Sequence, residues 1–125
     1  MKKDLIKKFM EIEKEIAKEK GKFTLFGLFH REGTLYDQWD LVASAPWIGE
    51  DRFEHIPYFV GKMKERLTTE ERIMVPRIVL LNPSEPFVED IAETVNKKRG
   101  VADVFNHYFN GMMIERGHVI TAKAA

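Results

Sequence analysis

Cysteine is absent from this chain of 125 residues. Its absence excludes disulfide bonds, thiol nucleophiles and zinc sites with cysteine ligands. A chain of this length buries roughly two-thirds of its unfolded surface, so we expect one stable domain over residues 1–125 without covalent cross-links. A chain without cysteine also agrees with a reducing environment, and a cytoplasmic location is therefore predicted.

The chain also has no net charge and no long apolar run. Lys and Arg together number 20 and balance 20 Asp and Glu. No overall positive field therefore attracts a polyanion, and nucleic acid is not favoured as a partner. No apolar run approaches the roughly 20 residues of a membrane span, so no membrane association is expected. Residues 1–20 carry frequent charges and lack the apolar segment that a signal peptide needs.

Apolar residues make up 44% of the chain, which is typical of a globular protein. Their spacing predicts a first helix, because one apolar stripe recurs at steps of four, three and four residues and a glycine follows it. The stripe consists of Leu5, Phe9, Ile12 and Ile16, and the glycine is Gly21.

Three further segments predict strands. Residues 22–29 are apolar on both faces, which favours the centre of a sheet. Residues 39–45 predict a second strand, and the short connection indicates that it pairs antiparallel with the first. Residues 77–82 contain the apolar run 78–81 and predict a buried strand. A strand, a helical pattern and an apolar strand in that order favour a right-handed parallel crossover.

Helical patterns lie between and after these strands. The pattern over residues 53–67 contains Pro57, so the helix either begins or kinks there. Thr68 and Glu71 have the spacing of a capping box, which predicts a short helix before Pro76. Ser84 is expected to cap a further helix that follows the third strand.

Asn110-Gly111 predicts a carboxyl-terminal hairpin, because a type I′ turn requires positive φ at both positions. The complete pattern predicts an α+β fold of α/β-like character. One mixed sheet of about five strands contains one parallel crossover and the terminal hairpin, and three main helices pack on it. The expected order is α-β-β-α-(short α)-β-α-β-β.

The hairpin brings ionisable residues together. With a two-residue turn, the opposite pairs are Phe109 with Met112, His107 with Ile114, Phe105 with Arg116, and Asp103 with His118. Counting by two then places Asp103, His107, Arg116 and His118 on one face. These four could act on a phosphoester, with Asp103 orienting His118 and Arg116 binding the anion. The same face carries large apolar residues, which is typical of an interface core. They are Phe105, Phe109, Met112, Ile114 and Ile120.

A second candidate site follows from the parallel crossover. The carboxyl ends of parallel strands share one edge of a sheet, where ligands bind in open α/β sheets. Ligand-binding residues are predicted there at Trp47, Asn82 and Ser84, and metal-binding oxygens at Glu50, Asp51 and Glu85. Acids in the first turn of a helix also stabilise its dipole without any ligand.

No catalytic or cofactor motif decides the function, and whether the chain is an enzyme stays open. No glycine-rich phosphate loop is present, and no cofactor is expected. The favoured interpretation is a non-catalytic interaction or self-association module, acting as a homodimer or with a protein partner. The alternatives are a hydrolase or phosphodiesterase that uses the hairpin cluster, and a divalent-metal or small-ligand binder at the strand-end edge.

Overall fold

Five strands form one mixed sheet in the order β3-β2-β1-β5-β4. The computed structural model describes residues 1–31, 38–95, 102–109 and 112–122. The helices are α1 (Lys3–Lys20), α2 (Ile56–Arg66), α3 (Thr69–Ile73) and α4 (Pro86–Val95), and a 3₁₀ turn spans Arg52–His55. The strands are β1 (Leu25–Arg31), β2 (Asp40–Ser44), β3 (Arg77–Leu81), β4 (Ala102–Phe109) and β5 (Met112–Ala122). This arrangement confirms the predicted α+β fold and its order of elements.

The predicted pairings of the first strand with the second, of the second with the third, and within the hairpin are also confirmed. β1 is the central strand and pairs antiparallel with both β2 and β5. β2 and β3 are parallel, with Ser44 beside Leu81, so the two strands end at the same edge of the sheet. β4 and β5 pair antiparallel from Phe109–Met112 to Ala102–Val119, in the register predicted from the hairpin. Asn110 and Gly111 themselves lie outside the described residues.

The sheet has a hydrophobic core on each face. On one face, which we call the α1 face, α1 and α2 pack against side chains such as Phe26, Leu28 and Leu41. On the other, the α4 face, α4 packs against side chains such as Phe29 and Val119. The predicted stripe of α1 is completely buried in the first core, and it consists of Leu5, Phe9, Ile12 and Ile16.

The observed helix boundaries show what Pro57 does in α2 and which of the predicted caps are present. Pro57 lies in the first turn of α2, after the 3₁₀ turn, so the helix begins there. The capping box before α3 is present, because the Thr68 hydroxyl accepts from the Glu71 N–H at 3.1 Å. The prediction that Ser84 caps α4 is wrong, because α4 begins at Pro86, two residues later, and the Ser84 N–H instead donates to Asn82 Oδ1 at 3.0 Å.

One strand differs from expectation. The apolar run 78–81 predicts a buried strand, but β3 is the outermost strand on its side of the sheet. Arg77 is exposed, and Ile78 and Val79 are half-buried. Among the helices that the structure describes, none is long and apolar enough to cross a membrane.

Candidate functional site

Asp103 and His118 form the polar pair that the hairpin register predicts. His118 Nδ1 lies 2.7 Å from Asp103 Oδ1, a distance at which the ring N–H donates to the carboxylate. The Asp103 side chain is 54% exposed, whereas the His118 side chain is 11% exposed. Among the described residues, His118 Nε2 has no hydrogen-bond partner and is shielded from solvent. The nitrogen that would exchange protons with a substrate is therefore buried.

Trp39 explains this burial. Its ring stacks on His118 with centroids 5.0 Å apart and an interplanar angle of 29°. His30 packs on the same indole at 5.6 Å, and the Arg116 guanidinium carbon lies 5.9 Å from its centroid. The hydrogen bond between His118 and Asp103 thus orients an imidazole whose ring packs against Trp39. This arrangement shields His118 Nε2 from solvent in the described structure.

The strict alternation of faces expected along the hairpin is interrupted, because β5 contains an irregularity. The register of β1 with β5 shifts between His30 and Arg31, which pair with Arg116 and Ile114 and leave Glu115 as an extra residue. Arg116 and His118 consequently lie on the α1 face, while Ile114 packs in the core on the α4 face. Ile114 was expected on the same face as His118, and that expectation is wrong. The side chain of His107 lies outside the described residues.

The three ligand-binding residues predicted at the strand-end edge do not all contact one another. Trp47 points into the molecule, where its indole N–H donates to the Gly21 carbonyl at 3.0 Å and its ring stacks on Phe59. Asn82 and Ser84 bond to each other, since both the N–H and the hydroxyl of Ser84 donate to Asn82 Oδ1. These contacts shape the turn before α4.

The three predicted metal ligands each have a different local environment. Glu85 lies 3.9 Å from Arg52, a loose ion pair. Glu50 and Asp51 precede the 3₁₀ turn, where the Asp51 carbonyl accepts from the Glu54 N–H. The part of the chain that the structure describes contains no group of three or more His, Asp or Glu side chains placed to hold a metal ion. The metal-site assignment stays a prediction without geometric support.

The outer edge of β4 carries two exposed aromatic rings, of which Phe105 was expected on an interface face and Tyr108 was not predicted. Phe105 is 61% exposed and Tyr108 is 64% exposed. Simple alternation would put them on opposite faces, since they are three residues apart. Asn106 between them has φ +52°, and the pairs that flank it, Phe105–Arg116 and Tyr108–Met113, are both formed.

The register places both rings on one face. Arg116 lies on the α1 face, so its opposite residue Phe105 does as well. Met113 directly precedes Ile114 in β5, and neighbouring residues of a strand point to different faces, so Met113 lies on the α1 face. Tyr108 pairs with Met113 across the two strands and therefore lies on the α1 face too. We refer to Phe105, Tyr108 and the outer backbone of β4 as the aromatic edge. The available sequence signal was Asn106, since asparagine adopts positive φ more readily than other non-glycine residues.

Comparisons of this chain with protein families, with curated proteins and with solved structures found no match.

Proposed function

We propose that this domain is a non-catalytic self-association module that forms a homodimer through the aromatic edge. The observation that carries the proposal is the exposure of Phe105 and Tyr108 on an outermost strand of eight residues. An edge strand presents unpaired N–H and C=O groups that pair readily with another strand. Large exposed apolar side chains beside such groups add the contact area that a stable association needs.

Protection of β4 by charge or proline is weak. Lysine, proline and inward-pointing charges are among the means by which sheet edges resist association. The sequence of β4 contains neither lysine nor proline, and its one formal charge is Asp103. That carboxylate is already paired with His118. Little electrostatic repulsion therefore opposes a second β4.

A second copy is the occupant that fits this edge best. Two identical strands that pair antiparallel are related by a two-fold axis, and each surface then contacts the same surface of its copy. Because Phe105 and Tyr108 lie on one face, such an axis can place Phe105 of each copy opposite Tyr108 of the other. Aromatic cross-strand pairs contribute roughly 0.2–1 kcal/mol each. A homodimer in the cytoplasm also agrees with the absence of cysteine.

The test is the mass of the protein in solution against concentration, measured by sedimentation equilibrium. We expect the wild type to approach twice the chain mass, and we expect Phe105→Ser combined with Tyr108→Ser to weaken the association by at least about tenfold. Phe53→Ser is the matched control, because Phe53 is 75% exposed but lies in the 3₁₀ turn away from β4. A wild type that stays monomeric at every concentration, or an equal effect of the control, would contradict the proposal.

A hydrolase or phosphodiesterase is the second candidate, and the Asp103–His118 bond beside the exposed Arg116 is the observation that favours it. A carboxylate that orients an imidazole is a recurrent arrangement in acid–base catalysis. The buried His118 Nε2 opposes it. Turnover of bis(p-nitrophenyl) phosphate that is lost in His118→Gln and in Asp103→Asn would support this candidate. Absence of turnover in the wild type, or unchanged turnover in both variants, would count against it.

A further inference from the structure

A groove runs along the outer side of β3, on the opposite edge of the sheet from β4. Its volume is about 330 Å³. One wall consists of all five consecutive residues of β3 (Arg77–Leu81). Successive side chains of a strand point to opposite faces, so a wall that includes every residue is the backbone edge of the strand and not one of its faces.

The opposite wall of the groove carries two apolar side chains beside Arg52. Phe53 of the 3₁₀ turn and Ile56 at the start of α2 line it, and Phe53 is 75% exposed. An exposed phenylalanine beside a strand edge leaves apolar surface in water that a bound chain would cover. The space between the walls therefore offers backbone hydrogen-bonding groups on one side and apolar contact on the other.

Charge distinguishes the two ends of the groove. Arg77 lies at the start of β3, is exposed, and forms no ion pair with the residues that the structure describes. Glu85 lies beyond the end of β3 and is partly neutralised by Arg52 at 3.9 Å. One end thus presents the positive charge of Arg77, and the other presents the Arg52–Glu85 pair.

We propose that this groove binds an extended peptide segment of a partner protein by strand addition to β3. The segment adds its backbone to the edge of β3, places apolar side chains against Phe53 and Ile56, and carries an acidic side chain at the Arg77 end. Antiparallel pairing is slightly more stable per residue than parallel pairing, so the acidic residue lies toward the carboxyl end of the peptide. This site is separate from the aromatic edge and does not depend on dimer formation.

The probe is a short fluorescein-labelled peptide of alternating valine and threonine that ends in glutamate, and its counterpart ends in lysine. We expect saturable binding of the glutamate peptide by fluorescence anisotropy, with the lysine peptide binding about fivefold more weakly. Arg77→Glu should invert this preference, and Phe53→Ser should weaken both peptides. Lys14→Glu is the control, since Lys14 is an exposed cation on α1 outside the groove, and it should leave the preference unchanged.

Amide NMR shifts locate the bound peptide. Shifts confined to β3 and the 3₁₀ turn support the proposal, and the same shifts in the Phe105→Ser, Tyr108→Ser variant show that the groove acts independently of the dimer. Failure of the glutamate peptide to saturate, or shifts on β4 without shifts on β3, would overturn it. Changes at β3 on raising protein concentration without peptide would assign the groove to a second copy and would also overturn it.

Discussion

Gly117 shows how a single residue is determined by packing, because β5 lies too close to the core at this position for a side chain. A Cβ at this position of β5 would lie 2.7 Å from atoms of both Phe29 and Val104, two buried side chains of the core on the α4 face. Neither can move without disturbing that core, because protein interiors are packed as densely as organic crystals. We expect Gly117→Ala to lower the free energy of unfolding by about 1–3 kcal/mol, measured by urea denaturation.

Gly61 is the control for this substitution. It lies inside α2, and a Cβ there would meet nothing within 4 Å. Alanine is preferred to glycine in a helix interior by roughly 0.5–1 kcal/mol, so Gly61→Ala should raise the free energy of unfolding. Equal effects of the two substitutions would show that packing around Gly117 does not determine its identity.

At the scale of elements, α1 and α2 are joined by an ionic cluster. Lys62 Nζ lies 2.7 Å from Glu15 Oε1 and 2.6 Å from Glu19 Oε2, and Arg66 donates to Glu15 at 2.7 Å. The hydrogen bonds from Lys62 hold the pKa values of Glu15 and Glu19 below the ordinary value of 4.5. A carboxyl whose pKa is lower in the folded state stabilises the fold above its unfolded pKa and loses that contribution as pH falls through its folded pKa.

The melting temperature should therefore fall as pH is lowered from 4.5 through the depressed pKa values of these two carboxyls. Lys62→Met should reduce the part of this fall that comes from the cluster, because the two glutamates then titrate closer to their unfolded values. Lys64→Met serves as control, since Lys64 is an exposed lysine on the same helix. The cluster would not be responsible if both variants kept the wild-type dependence of melting temperature on pH.

At the scale of the whole molecule, two cores share one sheet. The core on the α1 face contains Trp39, with Trp47 packed against it, and these are the two tryptophans of the chain. Tryptophan fluorescence therefore reports on the α1 face, whereas far-UV circular dichroism reports on all elements. We expect both signals to follow one urea transition, because β1 contributes Leu28 to one core and Phe29 to the other.

Core truncations on the two faces test this coupling. Phe9→Ala removes a buried ring on the α1 face and Ile91→Ala a buried side chain on the α4 face, with expected losses of about 3–5 and 2–5 kcal/mol. Each should shift both signals together. A variant with Ile91→Ala in which circular dichroism changes before fluorescence would show that the α4 face unfolds separately.

Local signals in the sequence were sufficient for most of the fold. The stripe from Leu5 to Ile16, the capping box at Thr68 and the hairpin register that pairs Asp103 with His118 all depend on residues close together in the chain. Their physical basis is helical periodicity, local hydrogen bonding and the length of a tight turn. The candidate cluster could be predicted only as far as side chains alternate strictly between the two faces of β5, which ends at Glu115.

The sequence by itself determined the helices, the strands, the parallel crossover and the facing of Asp103 and His118. The tertiary structure alone decided that His118 is buried under Trp39, that Glu115 interrupts the alternation of β5, and that β3 and β4 are the outer strands. The physical reason is that burial, bulges and strand order depend on contacts between residues far apart in the chain. A segment such as Arg77–Leu81, in which four apolar residues follow an arginine, has the same local preference at the centre of a sheet as at its edge.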